Sequence, residues 1–229
     1  MLDPQTSEGE PMSNGAVTRR RRSRAAILAA AERVFLKHGF LSASMDEVAE
    51  QAGMSKQTVY AHFGSKEALF RAVVVAMTGG AAEALGEEAE EPLDDRPVAA
   101  FLMDAALDQL AVVLTPRLMQ LRRMVIGEVD RFPDLGRALF ENGPAKSIAR
   151  LSRAFAHYRE NGQLRLTDPT EAATYFNWLL MGAPTSAAML LGDAALPGRE
   201  ARHRHAEESV RIFLCAYGMQ HVGNGGRKE

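Results

Sequence analysis

The stretch Ser55-Lys56-Gln57-Thr58-Val59-Tyr60-Ala61-His62-Phe63 sorts its side chains by chemistry onto two sides of a short helix. Val59 and Phe63 are four residues apart and share an inner face, with Met54 just before them. Lys56, Gln57, Thr58, Tyr60 and His62 are left outside. That set offers donors, acceptors and an aromatic ring but no acid. It does not suit a core, and it does suit a helix lying in a major groove. Lys56 fits guanine O6 and N7, Gln57 fits adenine N6 and N7, and Thr58 can meet a thymine methyl. Elsewhere the sequence offers no paired catalytic carboxylates, glycine-rich phosphate loop or nucleophile motif, so neither an enzyme nor a cofactor is expected. His203 and His205 are two apart, so on a helix they diverge and cannot easily share a metal; their Arg-His-Arg-His run reads as a solvated helix start. Cys215, the sole cysteine, lies among Ile212, Phe213, Leu214 and Ala216 and reads as a small buried residue.

Several elements must position the 55–63 face. From Ser23 to His38 the residues Ile27, Leu28, Ala31, Val34 and Phe35 follow helical spacing, and Gly39 reads as the stop. Ser44 and Glu47 have the spacing of a capping box, which starts a second helix at Met45. Its inner face is Met45, Val48, Ala49 and Ala52, and Gly53 ends it. Ser55 caps the third helix, Gly64 ends it, and Ser65 caps a fourth. Lys66 then falls in a first turn, where a cation opposes the helix dipole unless a phosphate lies alongside. Residues 1–18 read as a disordered tail, 19–66 as a helix-turn-helix domain, 67–221 as a helical domain and 222–229 as a flexible tail. Arg19 to Arg22 and Arg24 form a basic arm, either simply solvated or lying along phosphates or in a minor groove.

Charge follows the same division. Net charge is −2 overall, yet residues 17–75 carry ten bases against five acids, while 76–229 carry seventeen against twenty-one. A basic module on an acidic body suits a nucleic-acid binder with a second function. Abundant Ala, Leu, Glu, Arg and Met, with few β-branched runs, point to an all-α fold. No apolar run reaches the ~18–20 residues of a membrane span and no secretory signal is seen, so a cytoplasmic protein with no membrane partner is expected.

The larger domain reads as helices over Glu67 to about Glu91, from Asp95-Pro97 onward, Pro116 to about Asp130, a short one ending at Phe140, one ending at Asn161-Gly162, one starting at Asp168-Pro169, and a last one from about Arg199 to Gly218. Pro184 is expected to kink its helix. Met103, Leu107, Met119, Met124, Phe155, Tyr158, Tyr175 and Trp178 are either core or, as a group, the wall of an apolar, adaptable ligand pocket.

Residues 23–75 resemble the DNA-binding domain of the TetR family of bacterial regulators. The resemblance rests on Ile27 to Ala31 with Phe35, Gly39-Phe40, Ser44 to Ala49, and Ala52 to Phe70. Ala43 departs from it, since many members have Thr there. Arg131-Phe132-Pro133-Asp134-Leu135 and Gly143-Pro144 are similar to one branch of the family's ligand-binding domains. The resemblance implies an all-helical homodimer with a small DNA-binding domain and a larger ligand-binding and dimerisation domain. It further implies DNA contacts from Arg22, Arg24, Ser44, Ser55, Lys56, Gln57, Thr58, Tyr60, His62 and Lys66. The last two long helices would pair with their twins, with Phe176, Leu180, Ala183, Val210, Phe213 and Tyr217 as candidate interface residues. The function implied is a repressor of double-stranded operator DNA, released from an inverted repeat by a small, largely apolar effector. The alternatives are an activator, or a regulator answering to a partner protein. A helical enzyme or transport module carrying the same DNA-binding unit, and a non-specific DNA-coating protein, are the readings from other classes.

Overall fold

The computed structural model describes residues 14–84 and 96–219. Among these the regular structure is α-helical, apart from a 3-10 turn at Asp193–Ala195 and a single bridge between Leu164 and Gly218. The chain forms two compact units that divide between Val73 and Val74.

The first unit holds α1 (Asn14–Ser42), α2 (Met45–Ala52), α3 (Lys56–Phe63) and the start of α4 (Lys66–Ala84). α1 begins well before Ser23, so Arg19 to Arg22 and Arg24 are turns of helix and not an extended arm. Arginine is a good helix former, and extending a docked helix costs far less than starting one. Residues 1–13 of the expected tail lie outside the described residues. Gly39 has φ 76° and kinks α1, as its position after the apolar run predicts. Ile27, Ala31, Val34 and Phe35 of α1 are buried with Val48 and Ala49 of α2, Val59 and Phe63 of α3, and Leu69 and Phe70 of α4. Phe35 and Phe40 stand 4.8 and 5.0 Å from Phe70, ring centre to ring centre. These contacts place the first turns of α4 in this unit, so the division falls inside α4. Ala43 is buried too, which makes it a core position.

The second unit holds the rest of α4 with α5 (Val98–Val113), α6 (Pro116–Glu128), α7 (Pro133–Asn142), α8 (Pro144–Glu160), α9 (Pro169–Leu191) and α10 (Arg199–Tyr217). The expected reach of α4 to Glu91 and the cap at Asp95 lie outside the described residues. α6 starts on the Thr115 cap, and α9 on Asp168, whose carboxylate accepts from the Thr170 and Glu171 amides. α5 has no side-chain cap of its own; Gln163 supplies one, its Oε1 accepting from the Val98 amide at 2.7 Å. Beside it the Arg165 amide donates to the Tyr217 carbonyl at 2.7 Å, and the Met219 amide to the Gln163 carbonyl at 3.2 Å. Residues 163–165 thus clasp the start of α5 to the end of α10.

Pro184 sits inside α9 and has no N–H for the carbonyl of Leu180, four residues back. His205 of α10 takes that role, its Nε2 lying 2.7 Å from the Leu180 oxygen. Because a carbonyl only accepts, Nε2 carries the proton. His205 is therefore a structural donor, whereas His203 faces Glu207 at 3.3 Å. The core gathers Leu102, Leu110, Leu151, Phe155, Phe176 and Phe213. Phe155, Phe176 and Phe213 form an aromatic triangle with centroid distances of 4.9 to 6.1 Å.

Candidate nucleic-acid interface and cavity

α3 is held by its caps. Ser55 Oγ accepts from the Thr58 amide at 3.1 Å, and the Gly64 amide closes the other end on Tyr60 at 2.7 Å. The turn before it works because Gly53 is left-handed, with φ 65°, so the Gly53 and Met54 amides fold back onto the end of α2. Ser44 caps α2 through the Asp46 amide at 3.1 Å. The expected capping box is only half formed. Glu47 faces His38 at 3.1 Å and accepts from Gln51.

The outer face of α3 has Gln57 exposed and Tyr60 41% exposed. Arg20, Gln57, Thr58, Ala61 and His62 line an open groove of about 500 Å³, so an arginine of the N-terminal helical extension stands beside the α3 face. Spacing alone did not single out Arg20. The exposed Arg22 belongs to the same extension, and Arg24 lies over the Phe63 ring at 4.5 Å. Three expected base or phosphate contacts already have intramolecular partners. Lys56 pairs with Asp46 at 3.0 Å, and that carboxylate holds the ammonium above its usual range, through the hydrogen bond first and charge second. Lys66 donates to the Leu41 carbonyl at 2.9 Å and lies over Phe40, so it closes the last turn of α1. The Thr58 hydroxyl is 2.8 Å from Ser55 Oγ.

In the second unit a cavity of about 50 Å³ is lined by residues of α4 to α9, including Thr78, Gln109, Arg122, Ser147, Asn177, Trp178 and Met181. An open cleft of about 240 Å³ adjoins it through the shared residues Arg122, Leu139, Pro144 and Trp178. Of the eight expected pocket residues, Trp178 alone lines either space. Met119, Phe155 and Tyr158 are buried in the core, and Met103 and Leu107 pack against it. Met124 is half-buried away from both spaces. Tyr175 is exposed, its hydroxyl donating to Glu171 at 2.8 Å. The missed residues carried a signal: Gln109, Arg122 and Asn177 sit three residues from Ala106, Met119 and Leu180, polar groups at core-facing positions.

The expected interface residues need correcting as well. Phe176, Leu180, Val210 and Phe213 are buried in their own chain, Tyr217 is half-buried against that core, and only Ala183 is exposed. An apolar run longer than one helical turn covers both faces of α10. Phe213 therefore points inward, while Ile212 and Cys215 point out, and Cys215 is exposed beside Arg211. Leu190 and Leu191 likewise lie exposed at the end of α9. Among the described residues no single helix is long and apolar enough to cross a membrane.

Comparison with known proteins follows the two units. Residues 27–73 match the model for bacterial regulatory proteins of the tetR family, and residues 100–219 match the C-terminal domain of AefR-like transcriptional repressors. The transcriptional activator FasR of Mycolicibacterium smegmatis is 47% identical over 51 residues, which is 22% of this chain and 23% of FasR. The chain thus spans about a quarter of that relative's length. A crystal structure of a TetR-family regulator from Mesorhizobium loti matches 88% of this chain and 99% of its own, at 33% identity and a TM-score of 0.80. The flavonoid-responsive regulator FrrA matches 87% of this chain and 99% of its own, at 32% identity and a TM-score of 0.71.

Proposed function

Because the chain belongs to the TetR family of bacterial regulatory proteins, we propose that it represses transcription as a homodimer on an inverted-repeat operator and leaves that operator when a small molecule enters its helical body. The observation that carries DNA binding is the acid-free outer face of α3, held by Ser55 and Gly64 and flanked by Arg20. Repression is favoured because the match to a repressor's C-terminal domain spans residues 100–219. FasR, named an activator, is alike over only 51 residues, so its name bears little on the sign of regulation here.

A dimer places one α3 in each of two successive major grooves, roughly 34–36 Å apart, which asks for an inverted repeat. The outward apolar residues of α9 and α10, Leu190, Leu191 and Ile212, support pairing through these two helices. An effector releases DNA only by as much as it prefers the non-binding dimer over the binding one. Selection of bound sequences from a random pool, followed by footprinting and a reporter gene under the selected site, tests the reading. An inverted repeat whose reporter falls when the protein is made is the expected result. A single asymmetric half-site bound as well as the full site, or a reporter that rises, would contradict it.

A further inference from the structure

The cavity of the second unit is apolar in most of its wall, but its polar groups are not neutral in sum. Arg122 lines both the inner cavity and the adjoining cleft, and no described carboxylate acts on it. Burial pushes its guanidinium down from its usual value, with no neighbouring charge opposing that shift. A guanidinium stays charged near neutrality all the same. Gly143, Pro144 and Ser147, the N-terminal end of the seventeen-residue α8, line the same cavity, and the cap residue Gly143 has no side chain to offer that end. Two independent features thus favour negative charge. Gln109 is only 3% exposed, and its Nε2 donates to Asn177 Oδ1 at 2.8 Å. Its Oε1 has no partner. A buried acceptor left unpaired is costly, so an occupant that brings a donor is favoured. Trp178, 45% exposed, presents an aromatic wall to both spaces.

These groups select among occupants. A cation would meet Arg122 and the α8 terminus. A purely apolar molecule would dry both Arg122 and Gln109 and pair neither. A phosphomonoester brings about two charges where one guanidinium stands. A carboxylate brings one charge and two oxygens that match the guanidinium fork. The inner cavity and cleft together approach the ~300 Å³ at the small end of ligand pockets, which suits a one-ring molecule.

We propose that the effector is a small aromatic carboxylic acid carrying a hydroxyl, with its carboxylate on Arg122 at the start of α8, its ring against Trp178 and its hydroxyl on Gln109 Oε1. This rests on the ligand-responsive reading above and names the class of ligand. Trp178 is the only tryptophan in the chain, so its fluorescence reports occupancy of this site directly.

The full-length protein is titrated with matched pairs: 4-hydroxybenzoic, 4-hydroxyphenylacetic and 3-(4-hydroxyphenyl)propionic acids, their carboxamides, and their 4-methoxy ethers. Two protein concentrations a hundredfold apart separate occupancy from self-association. At least one acid is expected to bind about tenfold or more tightly than its own amide. Arg122→Gln should bring that ratio to about one, and Arg122→Lys should keep part of it. Gln109→Leu should erase the preference for hydroxyl over methoxy. A folding defect weakens both members of a pair together, so the ratio isolates recognition. Amides bound as tightly as acids, no acid bound at all, or a ratio untouched by Arg122→Gln would each overturn the proposal. Operator release is measured in parallel. Release by neutral compounds alone would sink the acid and keep the ligand-responsive reading. Binding of the acid without release would keep the site and sink that reading.

Discussion

Lys56 has part of its charge and one of its three donors engaged by Asp46. The pair is exposed on both sides, so in water it is a weak link, and a phosphate or base edge can compete for the ammonium. Asp46→Asn keeps the side-chain shape and frees the cation. Affinity for DNA should then rise, and the log–log salt slope should steepen by up to ~0.9, the value of one more neutralised phosphate. Fluorescence anisotropy across a salt series checks this; an unchanged slope would mean Lys56 does not reach the backbone. Gln57 has no described intramolecular partner to give up. Gln57→Ala should relax preference at one position per half-site by ~1–3 kcal/mol. Tyr60→Phe should weaken selected and random DNA alike if the hydroxyl holds a phosphate, and the same selected pool scores both variants. The polarity and spacing of these residues were legible in the sequence. Their partners were not, because Lys56–Asp46 and Lys66–Leu41 are contacts across turns whose angles no local pattern sets.

Helix boundaries were legible wherever a cap or a first-turn proline marks them, as at Ser44, Ser55, Pro116 and Asp168. Facing was legible only where polar residues alternate with apolar ones. α10 near its end offers Ile212-Phe213-Leu214-Cys215-Ala216, and such a run does not say which residue turns inward. The structure separates two roles there. Phe213→Ala should cost about 3–5 kcal/mol in chemical denaturation, because Phe213 is 3% exposed in its own chain. Ile212→Glu should instead weaken self-association by sedimentation, because Ile212 is 41% exposed on the outer side; a dimer indifferent to it would move the interface off this face of α10. The bond from α10 to α9 can be isolated by a double-mutant cycle. His205→Ala should cost ~1–3 kcal/mol by orphaning the Leu180 carbonyl. In a Pro184→Ala background the new amide can satisfy that carbonyl, so the same change should cost clearly less. Equal costs in both backgrounds would show that His205 acts by packing alone.

At the scale of the molecule the two units were legible as a change in charge, while the position of their division was not. It depends on Leu69, Phe70 and Val73 joining the α1–α3 core, a long-range choice that periodicity along α4 leaves open. The cavity was the least legible feature. The Met and aromatic set expected to form it was large enough to fill its own core, and three polar residues at core-facing positions mark the empty space instead. The clasp at residues 163–165 carries a further consequence, for the order in which the newly made chain can fold. The first turn of α5 waits for an acceptor 65 residues ahead, and the loop that supplies it is tied to the end of α10. The unit ending at Val73 has its core partners within itself and can form while the rest is still being synthesised; the body closes only when its last helix has arrived. In refolding, amides of the buried turns in residues 27–73 should become protected from hydrogen exchange early. Protection at Val98 should appear late and in step with Leu214 to Gly218, as expected where distant pairings close a fold. Early protection at Val98 would mean that α5 starts without its clasp.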